Sequence, residues 1–154
     1  PIWYMLITVA VFTFLLNKTV HFRQYYYIGG NEKAADLSGI RVNKVKMTGF
    51  VISATLAGMA GILLSSRLGA ALPTMGRGLE LRVITAVILG GASLSGGYGK
   101  IPGALLGALF MGIVANIMVI SRVSGYWQEI ILGIILIGTL WLDKVLQKRY
   151  SGRT

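Results

Sequence analysis

Two runs of this chain, Met47–Ser66 and Ile101–Ile120, are each long enough to cross a bilayer as helix and contain no charged side chain. Nothing else in the sequence limits the fold as strongly. In hydrocarbon a backbone must satisfy its own N–H and C=O groups, so an unbroken apolar run of ~20 residues is a transmembrane helix. Three shorter apolar segments accompany them, Ile2–Leu16, Val83–Leu94 and Trp127–Leu142. Composition agrees: 55% of residues are hydrophobic and 13% charged, whereas a soluble domain carries roughly 25% charge. The expected fold is all-α, a polytopic transmembrane helix bundle of about five membrane segments, with residues 1–154 forming one domain.

The first segment has no basic stretch before it and no small-residue cleavage site after it, so it is not read as a signal peptide. It is shorter than a span needs, which reads as a helix begun upstream and a chain that is part of a longer one. The third segment is also short and runs into Gly90-Gly91 and Gly96-Gly97, which leaves both a spanning and a re-entrant reading open.

Charge gives the orientation. The net charge is +10, and the basic residues gather at the ends of apolar runs rather than in a separate basic domain, so nucleic acid is not an expected partner. The region 17–46 holds Lys18, Arg23, Lys33, Arg41, Lys44 and Lys46, and the tail holds Lys144, Lys148, Arg149 and Arg153. If all five segments cross, these regions and Lys100 share one side, which then has 11 of the 15 basic residues. A re-entrant third segment would reduce the bias to a nearly even split. The positive-inside rule therefore favours five crossings with the 17–46 region and the tail cytoplasmic. Tyr25-Tyr26-Tyr27, Tyr126-Trp127 and Trp141 read as interfacial anchors.

Small residues mark helix contacts. Gly49, Ser53, Ala57, Gly61 and Ser65 recur every fourth residue in one long run, and Gly103 and Gly107 repeat the spacing in the other. In lipid, helices pair where small side chains let backbones approach. Of the polar residues within apolar segments, Asn116 and Ser93 are candidates for a substrate path, with interhelical bonding as the competing role for Asn116. No charged residue lies near the middle of a segment, which argues for an energy source outside this chain.

Several chemistries are excluded. There is no cysteine and one histidine, His21, so no metal cluster or thiol nucleophile is expected, and no catalytic set can be assembled. Gly96-Gly97-Tyr98-Gly99-Lys100-Ile101 is not a Walker A loop, because Leu94 stands where its first glycine belongs and Ile101 where Ser or Thr belongs. No cofactor is expected in the chain itself.

The remaining feature is Gly29-Gly30-Asn31-Glu32-Lys33-Ala34-Ala35-Asp36-Leu37-Ser38-Gly39-Ile40. Asn31 suits an N-cap, Glu32 suits the positive end of a helix, and Gly39 is a natural stop. The enclosed helix has about two turns, too few to persist in water, so it must dock on something. A soluble partner that grips it from the cytoplasm is the simplest candidate.

This stretch, together with Ala86-Val87-Ile88-Leu89-Gly90-Gly91-Ala92-Ser93-Leu94-Ser95-Gly96-Gly97 and the following Gly99-Lys100-Ile101 and Gly103, resembles the inner-membrane permease subunits of bacterial ABC sugar importers of the ribose, xylose, arabinose and galactose type. The resemblance covers nearly the whole chain and corresponds to the C-terminal half of such a permease. It implies that region 17–46 is a coupling loop whose short helix seats in an ATPase subunit, with Gly30, Asn31, Glu32, Ala34, Ala35, Ser38 and Gly39 as coupling residues. It further implies ATP and Mg on that partner, a periplasmic or lipid-anchored sugar-binding protein at the outer face, and a second permease copy, identical or not. A multi-pass place in the bacterial inner membrane and import of a monosaccharide follow. The competing readings are the related branched-chain amino-acid permease type, a channel or structural membrane subunit, and an inactive truncated permease.

Overall fold

In the computed structural model of the chain, residues 2–71 and 76–151 are described, and for residue 142 and residues 146–151 the backbone alone. Among these residues there is no strand. The helices in order are α1 (Ile2–Lys18), α2 (Val20–Gly30), α3 (Glu32–Leu37), α4 (Val42–Leu68), α5 (Leu79–Leu89), α6 (Ile101–Ile120) and α7 (Gly125–Ser151). They form two compact units, one of α1–α4 with the turn Ser95–Tyr98, the other of α5–α7. The protein is an all-α helical membrane protein.

In the first unit α1 and α2 meet at a 77° bend. Thr19 breaks the helix there, held extended at φ −108° and ψ 125°. The Arg23 guanidinium donates to the Asn17 carbonyl at 3.0 Å, satisfying one of the acceptors that α1 leaves at its end. Phe12 and Phe22 close the corner edge to face, with centroids 6.3 Å apart. α4 leaves from the same region as α2 and α3, and the small core among the three is Ile28, Ala35 and Val42, flanked by Ile40 and Val45.

In the second unit α5 packs on α6 and α7 around Ala86, Met111, Leu132 and Ile135. The buried hydroxyls of Thr85 and Thr139 donate to carbonyls of their own helices, Leu81 at 2.7 Å and Ile135 at 2.9 Å, so neither needs a partner across the bundle.

The structure revises three expectations. All five apolar segments are helical, but only α4, α6 and α7 have spanning length, with the bent α1–α2 pair as a fourth candidate in broken form. α5 has 11 residues, about 16 Å of helix against a hydrocarbon core of ~30 Å. It stops because Gly91 N–H turns back to the Ile88 carbonyl and Ala92 N–H to that of Val87, a closure that ends the helix at Gly90-Gly91. Region 17–46 is not an open loop carrying one short helix; α2 fills most of its first half. Finally, the small-residue stripe of α4 is covered within its unit at Gly49, by Tyr25 of α2, but not further along: Ser53, Ala57 and Gly61 are exposed, and a Cβ built on Gly61 meets nothing within 4 Å. The stripe of α6 is used. A Cβ on Gly103 would strike the Gly90 carbonyl, and one on Gly107 the Ala86 carbonyl, so α5 and α6 approach backbone to backbone. Arg153 and residues 72–75 lie outside the described residues.

Candidate functional site

Asn31 is the joint on which the site is built. Its backbone N–H closes α2 onto the Tyr27 carbonyl, and its Oδ1 accepts the Ala34 N–H at 3.0 Å to open α3. One extended residue, at φ −157° and ψ 104°, thus ends one helix and starts the next. At the far end Gly39 N–H bonds the Asp36 carbonyl at 2.9 Å and Ile40 N–H that of Ala35 at 3.1 Å. This pattern puts residue 39 in the left-handed region, φ +82°, where glycine carries no Cβ penalty. The Ser38 hydroxyl donates to the Ala34 carbonyl at 2.8 Å. Every device of the cassette is spent on its own ends.

The docking partner that so short a helix needs is its own chain. Ala35 is 4% exposed and packs with Ile28 of α2 and Val42 of α4. Lys46 Nζ reaches Glu32 Oε2 at 2.7 Å and ties the start of α3 to α4, across side chains that are about half exposed. Such a pair orients more than it stabilises. With ~100° per residue, Lys33 and Leu37 fall diametrically opposite Ala35. Leu37 is 91% exposed there, a large apolar side chain with no cover within its unit.

A third element braces this platform. A Cβ on Gly29 would lie 2.5 Å from Gly97 N, and one on Gly96 would meet the Gly29 carbonyl and Cα. The turn Ser95–Tyr98 therefore rests directly on the end of α2, and the two glycine-rich stretches of the sequence are one interlock in space. On the other side of α2, the Tyr25 hydroxyl and Thr48 Oγ1 are 2.9 Å apart, and the Tyr25 ring lies over Gly49, whose built Cβ would be 3.0 Å from Cε1.

The second unit holds a narrow apolar recess of about 210 Å³ between α5 and α6, lined by Val83, Ala86, Ala108 and Met111 with Arg82 on its border. Asn116 and Ser93 are not among its lining residues; Asn116 is exposed on α6, and Ser93 is half-buried beyond the end of α5. Among the described residues no three or more His, Cys, Asp or Glu side chains come together as a metal site would require.

The family model described as branched-chain amino acid transport system / permease component matches residues 2–140. The chain belongs to this permease family. Its curated relatives include the ribose import permease protein RbsC of Haemophilus influenzae, 42% identical over 146 residues, which are 95% of this chain and 45% of that protein. RbsC of Bacillus subtilis is 43% identical over 140 residues, 91% of this chain and 44% of that protein. The xylose transport system permease protein XylH of Escherichia coli is 42% identical over 136 residues, 88% of this chain and 35% of that protein. The chain spans less than half the length of these relatives. No solved structure matches it.

Seen as part of a permease, the expected coupling residues divide in two. Ala34 and Glu32 are exposed, as is Lys33; Ala35 is turned inward, and Asn31, Ser38 and Gly39 form the caps. Leu37, Tyr25 and Gly29 were not singled out by sequence reasoning as site residues. For Tyr25 a signal existed: Phe22, Tyr25 and Ile28 recur every third residue, the spacing of one helix face. For Leu37 there was none, since six residues are too few to phase a helix.

Proposed function

We propose that the chain is the part of a membrane permease subunit that couples a partner's ATP hydrolysis to inward movement of a sugar, most simply a pentose. The observation that carries this reading is α3: a helix pinned by its own chain on the Ala35 side and by both caps, with Lys33 and Leu37 turned outward. A rigid peg with an exposed apolar tip is what a soluble motor domain needs in order to push on a membrane subunit. The names of the relatives, ribose and xylose permeases, support a sugar over an amino acid. ATP and Mg belong to the partner in this reading. A solute-binding protein serves the opposite face, a second permease copy completes the translocator, and the setting is the bacterial inner membrane with several crossings. Alternating access then follows from closure of the ATPase against α3.

The test is transport in vesicles that hold the permease with its ATP-binding and solute-binding partners. ATP-dependent uptake of labelled ribose or xylose, with none of leucine, is expected; leucine uptake instead would replace the sugar reading by the amino-acid one. Glu32→Lys separates coupling from folding. It breaks the pair with Lys46, and the added Lys46→Glu re-forms it in reverse. Uptake that stays several-fold low in the double variant places Glu32 at the partner contact, whereas full recovery makes its role internal.

A further inference from the structure

A recess of about 710 Å³ lies between α2, residues 38–40 after α3 and the first turns of α4. We propose that it binds the headgroup of an anionic phospholipid. The inference stands on the membrane character of the chain and is independent of the transport reading.

Its lining is graded along α4. Arg41 and Lys44, with His21 from α2, form the outer rim; Phe22, Val45 and Ile52 form the inner wall. From Arg41 to Ile52 the helix rises about 16 Å, a depth that carries a ligand from charged headgroup to acyl chain. α4 has 27 residues, about 40 Å, so its first turns project beyond a ~30 Å hydrocarbon layer and place the cations at headgroup level.

The charge is one-signed. No carboxylate lines this recess. Glu32 and Asp36 line a separate recess beside α3, which also borders Arg41 and Lys44, and Glu32 is held by Lys46. Among the described residues neither Arg41 nor Lys44 forms an ion pair. A guanidinium and an ammonium beside a lining that runs from polar to apolar fit a phosphate that brings its own hydrocarbon. Free phosphate shares the headgroup chemistry but leaves the Phe22 and Ile52 wall uncovered.

The test uses the purified chain in detergent micelles with equal mole fractions of phosphatidylglycerol or phosphatidylcholine, and native mass spectrometry to read retained lipid. Two cations at the surface should favour phosphatidylglycerol by roughly tenfold or more. Arg41→Gln with Lys44→Gln should abolish that preference, while Lys18→Gln with Lys33→Gln, an equal loss of charge away from the recess, should keep it. Phe22→Ala should weaken retention of both lipids. Equal retention of the two lipids by the unsubstituted chain overturns the proposal, as does equal loss in both double variants. Displacement of phosphatidylglycerol by millimolar inorganic phosphate also overturns it, in favour of a free-anion site. If the Arg41/Lys44 variant loses its helical spectrum, the comparison of two lipids on the unsubstituted chain decides alone.

Discussion

Ala35 and Leu37 stand two positions apart on α3 and do opposite things. Ala35 is buried in a cluster with Ile28 and Val42, and Leu37 projects from the far side of the same six-residue helix. Enlarging the first should therefore damage the fold, and shortening the second should not. Ala35→Leu overpacks a closed contact and is expected to lower stability by about 1–3 kcal/mol, read from thermal unfolding of the purified chain. Leu37→Ala should leave that transition in place. If α3 is the contact for an ATPase, the same change removes an apolar anchor and should weaken retention of the ATP-binding subunit by roughly tenfold. Equal unfolding losses in both variants would mean that Leu37 is covered in a way the present contacts do not provide for. Bulk at Ala34 and bulk at Ala35 are thus not equivalent tests of coupling, although the sequence makes them look so.

Among the elements, the interlock of the α2 end with the turn Ser95–Tyr98 joins two stretches more than sixty residues apart in sequence. Gly29 and Gly30 are adjacent and chemically identical, yet only Gly29 faces backbone: a Cβ there falls 2.5 Å from Gly97 N, and one on Gly30 meets nothing within 4 Å. Gly29→Ala should thus cost about 1–3 kcal/mol, since a backbone must shift to admit it. Gly30→Ala should be neutral or stabilise by less than about 1 kcal/mol through helix propensity. Paired thermal melts check this, and a loss at Gly30 matching that at Gly29 would remove the interlock. The sequence disclosed α4 and α6 well because lipid-length apolar runs have one solution, and it found α7 only through the shorter apolar run Trp127–Leu142 within it. It also disclosed both ends of α3, since Asn31 and Gly39 act on neighbours a few residues away. It hid α2, whose Tyr, His, Arg and Gln side chains obscure the Phe22, Tyr25 and Ile28 face. It placed the end of α5 some residues too late, because the apolar run continues beyond the glycines that turn the backbone. The contact between Gly29 and Gly96 was beyond its reach, for no local rule pairs residues so distant. The stripe on α4 was legible as a pattern but not as a contact, and within its unit it meets only Tyr25 at Gly49 and is exposed from Ser53 to Gly61, while that of α6 packs on α5.

For the molecule as a whole, the interlock bears on topology. α4 carries the chain about 40 Å from the end that holds α3, yet the turn Ser95–Tyr98 is back against Gly29 at that end. The connection between Gly69 and Ser95 must then return across the same thickness, although α5 within it is too short to span alone. As a crossing this return would be a broken one with α5 as a helical part, which lipid permits only where protein or a watery cavity surrounds it. If α6 and α7 each cross in turn, the region of α3, the turn at Tyr98 and the start of the tail at Lys144 fall on one side, the side that the distribution of basic residues would make cytoplasmic. The absence of native cysteine makes this directly measurable. Single cysteines at Lys33, Tyr98 and Lys144 should react with a membrane-impermeant maleimide only after the membrane is opened. Cysteines at Ala70 and Ser124 should react in intact cells. If position 98 instead labels with 70 from outside, and 144 follows it, the stretch around α5 re-enters and leaves on the same side, and the charge bias that orients the chain is lost with it.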